Sequence, residues 1–86
     1  MNVGIYAIYD SKAEAFLQPF FSQTTGTAIR AFKQAANTPE NNFYEYAEDY
    51  TMFHLGDFDD QDGTITAYDA PVSISKALVL RDDNEL

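Results

Sequence analysis

Tyr50-Thr-Met-Phe-His-Leu-Gly-Asp-Phe58, then Asp59-Asp-Gln-Asp-Gly63, then Thr64-Ile-Thr-Ala-Tyr-Asp69: the reading of these consecutive residues decides the fold class. In the first run Thr51, Phe53 and Leu55 share one parity and Met52 and His54 the other, the two-residue period of a strand. The run from Thr64 alternates again. Two alternating runs around a polar turn that ends in glycine predict a β-hairpin.

A hairpin needs something to pack against, and the first residues supply it. Val3, Ile5, Ala7 and Tyr9 alternate with Gly4, Tyr6, Ile8 and Asp10, so both parities are largely apolar. That pattern predicts an interior strand, central in its sheet or covered on both sides. Asp10 and Ser11 then offer turn chemistry. The hydroxyl cluster from Ser22 to Thr27, around Gly26, has the residue types of a helix start. Ala28, Ile29, Phe32, Ala35 and Ala36 follow at the spacing of one helical face, and Asn37-Thr38-Pro39 is a stop signal. The prediction is a helix over 25–37.

Other segments are less regular. Lys12-Ala-Glu-Ala-Phe-Leu has a helical look, but Pro19 biases Gln18 away from the α region. Residues 12–23 are expected to form a short helical turn or an ordered loop, packed down by Phe16, Leu17, Phe20 and Phe21. Residues 39–49 form a polar connection long enough to need packing, mobility or a function of its own. Pro71 is expected to end the hairpin pattern, with Val72, Ile74 and 77–80 forming a last strand or short helix. Residues 81–86 read as a frayed tail. The sum is one α+β domain over 1–86: a small antiparallel sheet of three or four strands with one main helix packed on it.

Composition narrows the function. In 86 residues, 45% are hydrophobic, with six Tyr and seven Phe carrying much of the bulk. With no cysteine, disulfides and thiolate metal sites are excluded. No apolar run approaches the roughly 20 residues of a membrane span, and no signal-peptide pattern opens the chain. Fourteen acids against five Lys and Arg give a net charge of −9, which opposes generic attraction to phosphate backbones and to anionic membranes.

The acidic turn is the stretch most like a metal motif. Residues 58–69 overlay an EF-hand calcium loop, with Asp60 and Asp62 at the third and fifth positions, Gly63 at the sharp turn and Asp69 at the twelfth. Phe58 stands first without a side-chain oxygen, and the flanks alternate like strands, so the stretch reads as a hairpin turn. His54 is the only histidine; inside an alternating strand it reads as a locally hydrogen-bonded side chain. No residue set is assigned to catalysis, a metal or a cofactor, and the chain is not expected to be an enzyme. For nucleic acid, Arg30 and Lys33 lie three apart on the helix, and Tyr6, Tyr9, Phe20, Phe21, Tyr44 and Tyr46 are candidates to stack unpaired bases.

Three stretches also carry a family likeness. Val3-Gly-Ile-Tyr-Ala-Ile-Tyr-Asp-Ser-Lys-Ala-Glu-Ala-Phe-Leu-Gln-Pro-Phe-Phe21, Ala28-Ile-Arg-Ala-Phe32 and Glu48-Asp-Tyr-Thr-Met-Phe-His-Leu-Gly-Asp-Phe-Asp59 resemble the small nonstructural protein of gokushoviruses, microvirus-type bacteriophages with single-stranded DNA. The resemblance implies an accessory protein in the host bacterial cytoplasm, active when the phage turns to making and packaging single strands. It carries over no site residues.

Three readings follow. The first is a non-enzymatic protein that binds a viral or host component of DNA synthesis or packaging. The second is a weak single-stranded-DNA binder using the aromatics with Arg30 and Lys33. The third is an acidic mimic that occupies a DNA site on a host protein. A homodimer through the C-terminal third or an edge strand is also expected, because Val72, Ile74, Leu78, Val79 and Leu80 exceed what so small a core covers.

Overall fold

The structure, a computed structural model, describes residues 2–82. Its strands are β1 (Asn2–Asp10), β2 (Ala15–Phe16), β3 (Phe20–Ser22), β4 (Tyr50–Asp59) and β5 (Ile65–Lys76). Its helices are α1 (Thr25–Ala36), α2 (Asn42–Glu45) and α3 (Ala77–Leu80), with a 3₁₀ turn at Ala47–Asp49. All five strands join one antiparallel sheet. β1 is central, flanked by β4 on one edge and by β2 and β3 on the other, and β5 closes the far side of β4.

The segment 12–23 differs from expectation. It holds no helix: a turn at 12–14 leads into a return strand, which an irregular stretch at 17–19 breaks in the middle. β2 pairs with the end of β1, Tyr9 opposite Phe16, and β3 pairs with its beginning, Ile5 opposite Phe21. The Leu17 amide still reaches the Ile8 carbonyl at 2.8 Å. Pro19, with no N–H to give, lies in the break, where an edge strand tolerates it. Across its width the sheet is therefore four strands deep. The turn into β2 is built by Asp10, whose Oδ1 accepts from the amides of Lys12 (3.0 Å) and Ala13 (3.3 Å), while Glu14 takes the left-handed conformation at φ 56°.

α1 forms where the periodicity puts it. Thr24 caps it: its Oγ1 accepts from the Thr27 amide at 3.1 Å and Thr27 Oγ1 accepts from the Thr24 amide at 3.3 Å, a reciprocal capping box with threonine in the usual Glu position. Its buried residues Ala28, Phe32 and Ala36 pack onto Tyr6 and Ile8 of β1 and Met52 of β4, joined by Ala47, Tyr50 and Ala77. The long connection 39–49 does pack: α2 and the 3₁₀ turn set Phe43 edge-on to Phe32 (5.4 Å between centroids) and to Tyr50 (4.8 Å).

The hairpin β4–β5 is as expected at its turn. Gly63 has φ 80° and its amide donates to the Asp59 carbonyl at 2.8 Å. Pro71, however, does not end the strand. Val72 pairs with His54 and Ala67 with Gly56, so residues 68–71 bulge out of the ladder on an edge strand, and Pro71 sits within that bulge. β5 then resumes through Lys76 and ends in α3, so the C-terminal apolar stretch is both a strand and a helical turn. β4 carries its own bulge at Leu55, because Ile5 faces Gly56 while Tyr6 faces His54. At Gly56 a side chain would strike the Thr66 carbonyl oxygen, so the close approach of β4 and β5 there requires glycine.

Of the tail, Arg81 and Asp82 are held rather than frayed: Arg81 Nη1 donates to the Tyr44 carbonyl at 2.9 Å, and the Asp82 amide donates to Asn37 Oδ1 at 2.8 Å. Residues 83–86, the rest of the expected tail, lie outside the described residues.

Candidate functional site

The two faces of the sheet have different fates. Residues opposite one another in a ladder point to the same side. Gly4, Tyr6 and Ile8 of β1 therefore share a face with His54 and Met52 of β4, and this is the face under α1. Val3, Ile5, Ala7 and Tyr9 point the other way, together with their partners Phe58, Gly56, Phe53 and Thr51. Phe16 and Phe21 join that second face from β2 and β3; Ile65, Ala67, Ser73 and Lys76 join it from β5. The core under α1 draws on the first face, and the second is left open.

The open face is apolar and aromatic. Phe16 lies edge-on to Tyr9 (5.0 Å) and Phe53 (5.5 Å), and Phe21 stacks on Phe58 (5.6 Å, 13° between planes). These rings cover Ile5 and Ala7, which are 9% and 1% exposed. The rings themselves remain in water: Phe16 is 44% exposed, Phe21 58% and Ile65 64%. Among the described residues, no carboxylate occupies a paired position on this face, although the chain has fourteen acids. Lys76 is its one paired cation. The acids of the paired strands, Asp10, Asp57 and Asp59, fall on the helix side.

The helix side carries the only histidine. The His54 ring stacks on Tyr6 (4.4 Å) and meets Tyr68 edge-on (4.9 Å). Its Nε2 lies 3.3 Å from Asp57 Oδ1 without hydrogen-bond alignment, so the local hydrogen bond expected of this side chain is not formed through Nε2. Asp57 Oδ2 accepts from the Tyr68 hydroxyl at 3.1 Å. Partial desolvation and this carboxylate raise the Tyr68 phenol above its usual value. A shallow apolar cleft of about 260 Å³ lies between α1 and the 17–20 segment, lined by Ile8, Leu17, Phe20, Phe32 and Phe43 among others. In the acidic turn, Asp59 and Asp62 each accept from a backbone amide two residues on, those of Gln61 and Thr64. The flanks are strands, so the frame of an EF-hand is not formed there. Among the described residues no group of three or more His, Asp or Glu side chains is placed to hold a metal ion.

The residues singled out for nucleic acid do not form one surface. Tyr9 and Phe21 lie on the open face. Tyr6 is 1% exposed and Phe20 packs against the core, so neither offers a ring to a base. Tyr44 is covered by Arg81, whose guanidinium sits 4.1 Å from the ring centroid. Tyr46 is 57% exposed, beside the 3₁₀ turn. Arg30 and Lys33 are exposed on α1, across the sheet from Phe21, with Lys33 3.8 Å from Asp82. Phe16, Phe53 and Phe58 were missed; the signal available was the double apolar parity of β1, which asks for a cover on its second side.

Among the described residues no helix is long and apolar enough to cross a membrane. A family model described as Phage ORF5 protein matches residues 3–80. No curated protein and no solved structure matches the chain.

Proposed function

The chain belongs to the Phage ORF5 protein family, and from that premise we propose that it is a non-catalytic accessory protein of phage infection. It acts in the host bacterial cytoplasm, in the synthesis or packaging of viral single-stranded DNA, by binding a component of that machinery. The observation that carries a binding role is the open sheet face. An apolar surface of this extent, whose paired positions among the described residues hold no carboxylate in a chain of charge −9, is suited to contact and not to proton transfer. The resemblance to gokushovirus nonstructural proteins supplies the setting.

A second reading, direct contact with single-stranded DNA, is favoured by one feature: Tyr9, Phe16, Phe21, Phe53 and Phe58 lie on one sheet surface, where unpaired bases can stack. Against it stands the charge, since Lys76 alone among the paired positions of that face would meet a phosphate.

Affinity capture from phage-infected cells, run beside anisotropy titrations of labelled oligonucleotides at two salt concentrations, tests both. Recovery of a phage replication or assembly protein, with no salt-dependent oligonucleotide binding, is the expected result. Oligonucleotide binding that weakens with salt moves the assignment to the second reading. Neither signal would remove both.

A further inference from the structure

We infer that the open sheet face is closed by a second copy of this chain, the two sheets packing face to face with the helices outside. The inference rests on reading that face as a binding surface and names a second copy as its occupant, so that the component of the phage machinery is met by the paired molecule.

Three observations converge on a like partner. The first is the core itself. Ile5 and Ala7 are buried on the open side, yet only by side chains of the same sheet, which are themselves exposed. A sheet with two apolar faces is stable when both are covered, and sheet-on-sheet packing at about 10 Å is the usual way to cover a flat one.

The second is charge. Two chains at −9 repel over most of their surfaces. The face whose paired positions carry no carboxylate is the one on which they can approach. With screening over about 8 Å at physiological salt, acids on the helix side of either copy act weakly across the joint. Lys76 adds a positive charge to each face.

The third is size. Four strands about 4.8 Å apart and about nine residues long make a face of roughly 600 Å². A pair then buries about 1,200 Å², at the foot of the range for stable association. A two-fold pair uses the same patch on each copy, so Phe21 and Ile65 of each face the other sheet.

The competing route, pairing along the β5 edge, is opposed by the 68–71 bulge and by Pro71, two features that blunt an edge strand. The C-terminal third, expected from sequence to supply the interface, is partly spent inside the chain: Ala77 is fully buried, and Ile74, Leu78 and Leu80 pack against the core.

Sedimentation equilibrium of the full chain tests this. The wild type should run at twice 9.7 kDa, more completely at higher salt, and Phe21→Glu should halve that mass with unchanged far-ultraviolet circular dichroism. Ile65→Glu, placed on β5 away from Phe21, gives the same readout should Phe21→Glu fail to fold. Val79→Glu, on the exposed side of α3, should leave the pair intact. A wild type that stays monomeric at high concentration and high salt overturns the inference. So does a pair that survives both face substitutions or falls apart only with Val79→Glu. The outcomes separate from those for function: a monomer that still captures a phage protein sinks the pairing alone, and a pair that captures neither protein nor oligonucleotide sinks the functional reading alone.

Discussion

The ring of Tyr6 lies over Gly4: a Cβ built on Gly4 would stand 2.5 Å from Tyr6 Cε1 and 2.6 Å from its hydroxyl. The phenol runs back along its own strand to reach Thr25 Oγ1 at 2.9 Å, tying β1 to the first turn of α1. Gly4→Ala should therefore push the ring off that bond and out of its stack on His54. An overpacking cost of about 1–3 kcal/mol is expected. Thermal melts of Gly4→Ala and wild type, compared at equal concentration, measure it; an unchanged midpoint would mean that Tyr6 has another seat.

Phe32 anchors α1. It is 3% exposed and meets Phe43 edge-on, while Ala28 and Ala36 let the helix lie close to the sheet. Phe32→Ala should cost about 3–5 kcal/mol, a large share of the stability of so small a fold. Urea unfolding followed by circular dichroism gives the figure directly, and a loss below 1 kcal/mol would place the core elsewhere.

Tyr50 makes stability depend on alkaline pH. Burial, reinforced by Asp10 and Asp49, raises its phenol above the ordinary value of 10.0. A raised phenol favours the neutral form in the fold, so its stabilisation is complete below the unfolded value and is lost as pH climbs through the folded one. Melting temperatures measured from pH 9 upward should fall beyond pH 10, and should fall less steeply in Tyr50→Phe. Parallel curves for the two proteins would remove Tyr50 as the source.

The acidic turn should ignore calcium. Thr64 donates to Asp62 through its hydroxyl and its amide and holds that carboxyl below the usual range, so the group already serves the turn. Millimolar calcium should shift the melting point no more than an equal ionic strength of magnesium does, through screening alone. Calorimetric titration that finds a micromolar site would reverse this.

Much of the fold was legible because its signals are local. The parity of Thr51 to His54, the glycine at 63 and the threonines before Ala28 each act within a few residues, and the structure follows them; Leu55, expected on the face of Thr51 and Phe53, falls in the bulge and Gly56 takes that place. Two strand features escaped for the opposite reason. β2 and β3 are two and three residues long, with Pro19 between them, and only pairing with β1 makes them strands. Pro71 looks like a terminator until the register of β4 shows a bulge that can hold it. The candidate surface was half legible. Tyr6 and Tyr9 look alike on the page, but one faces α1 and the other the open side. Which side α1 covers is decided by the sheet as a whole, and that is why Phe16, Phe53 and Phe58 did not stand out.

Asn37 has a consequence for how the chain is made. Its Nδ2 donates to the Leu80 carbonyl at 3.0 Å and its Oδ1 accepts from the Asp82 amide at 2.8 Å, contacts spanning 43 and 45 residues. β1 likewise waits for β4, synthesised some forty residues later. As the ribosome delivers the chain, the central strand emerges with β2, β3 and α1 to pair and pack with, but without the long neighbour β4. The sheet and the Asn37 contacts can be completed only once residues 80–82 have left the tunnel, and one long edge of β1 stays unpaired until β4 arrives. Long-range topologies of this kind fold at the slower end for their size and need shelter while they wait. How soon the last residues follow the first therefore bears on how much chain reaches the folded state, beside the stability of that state itself.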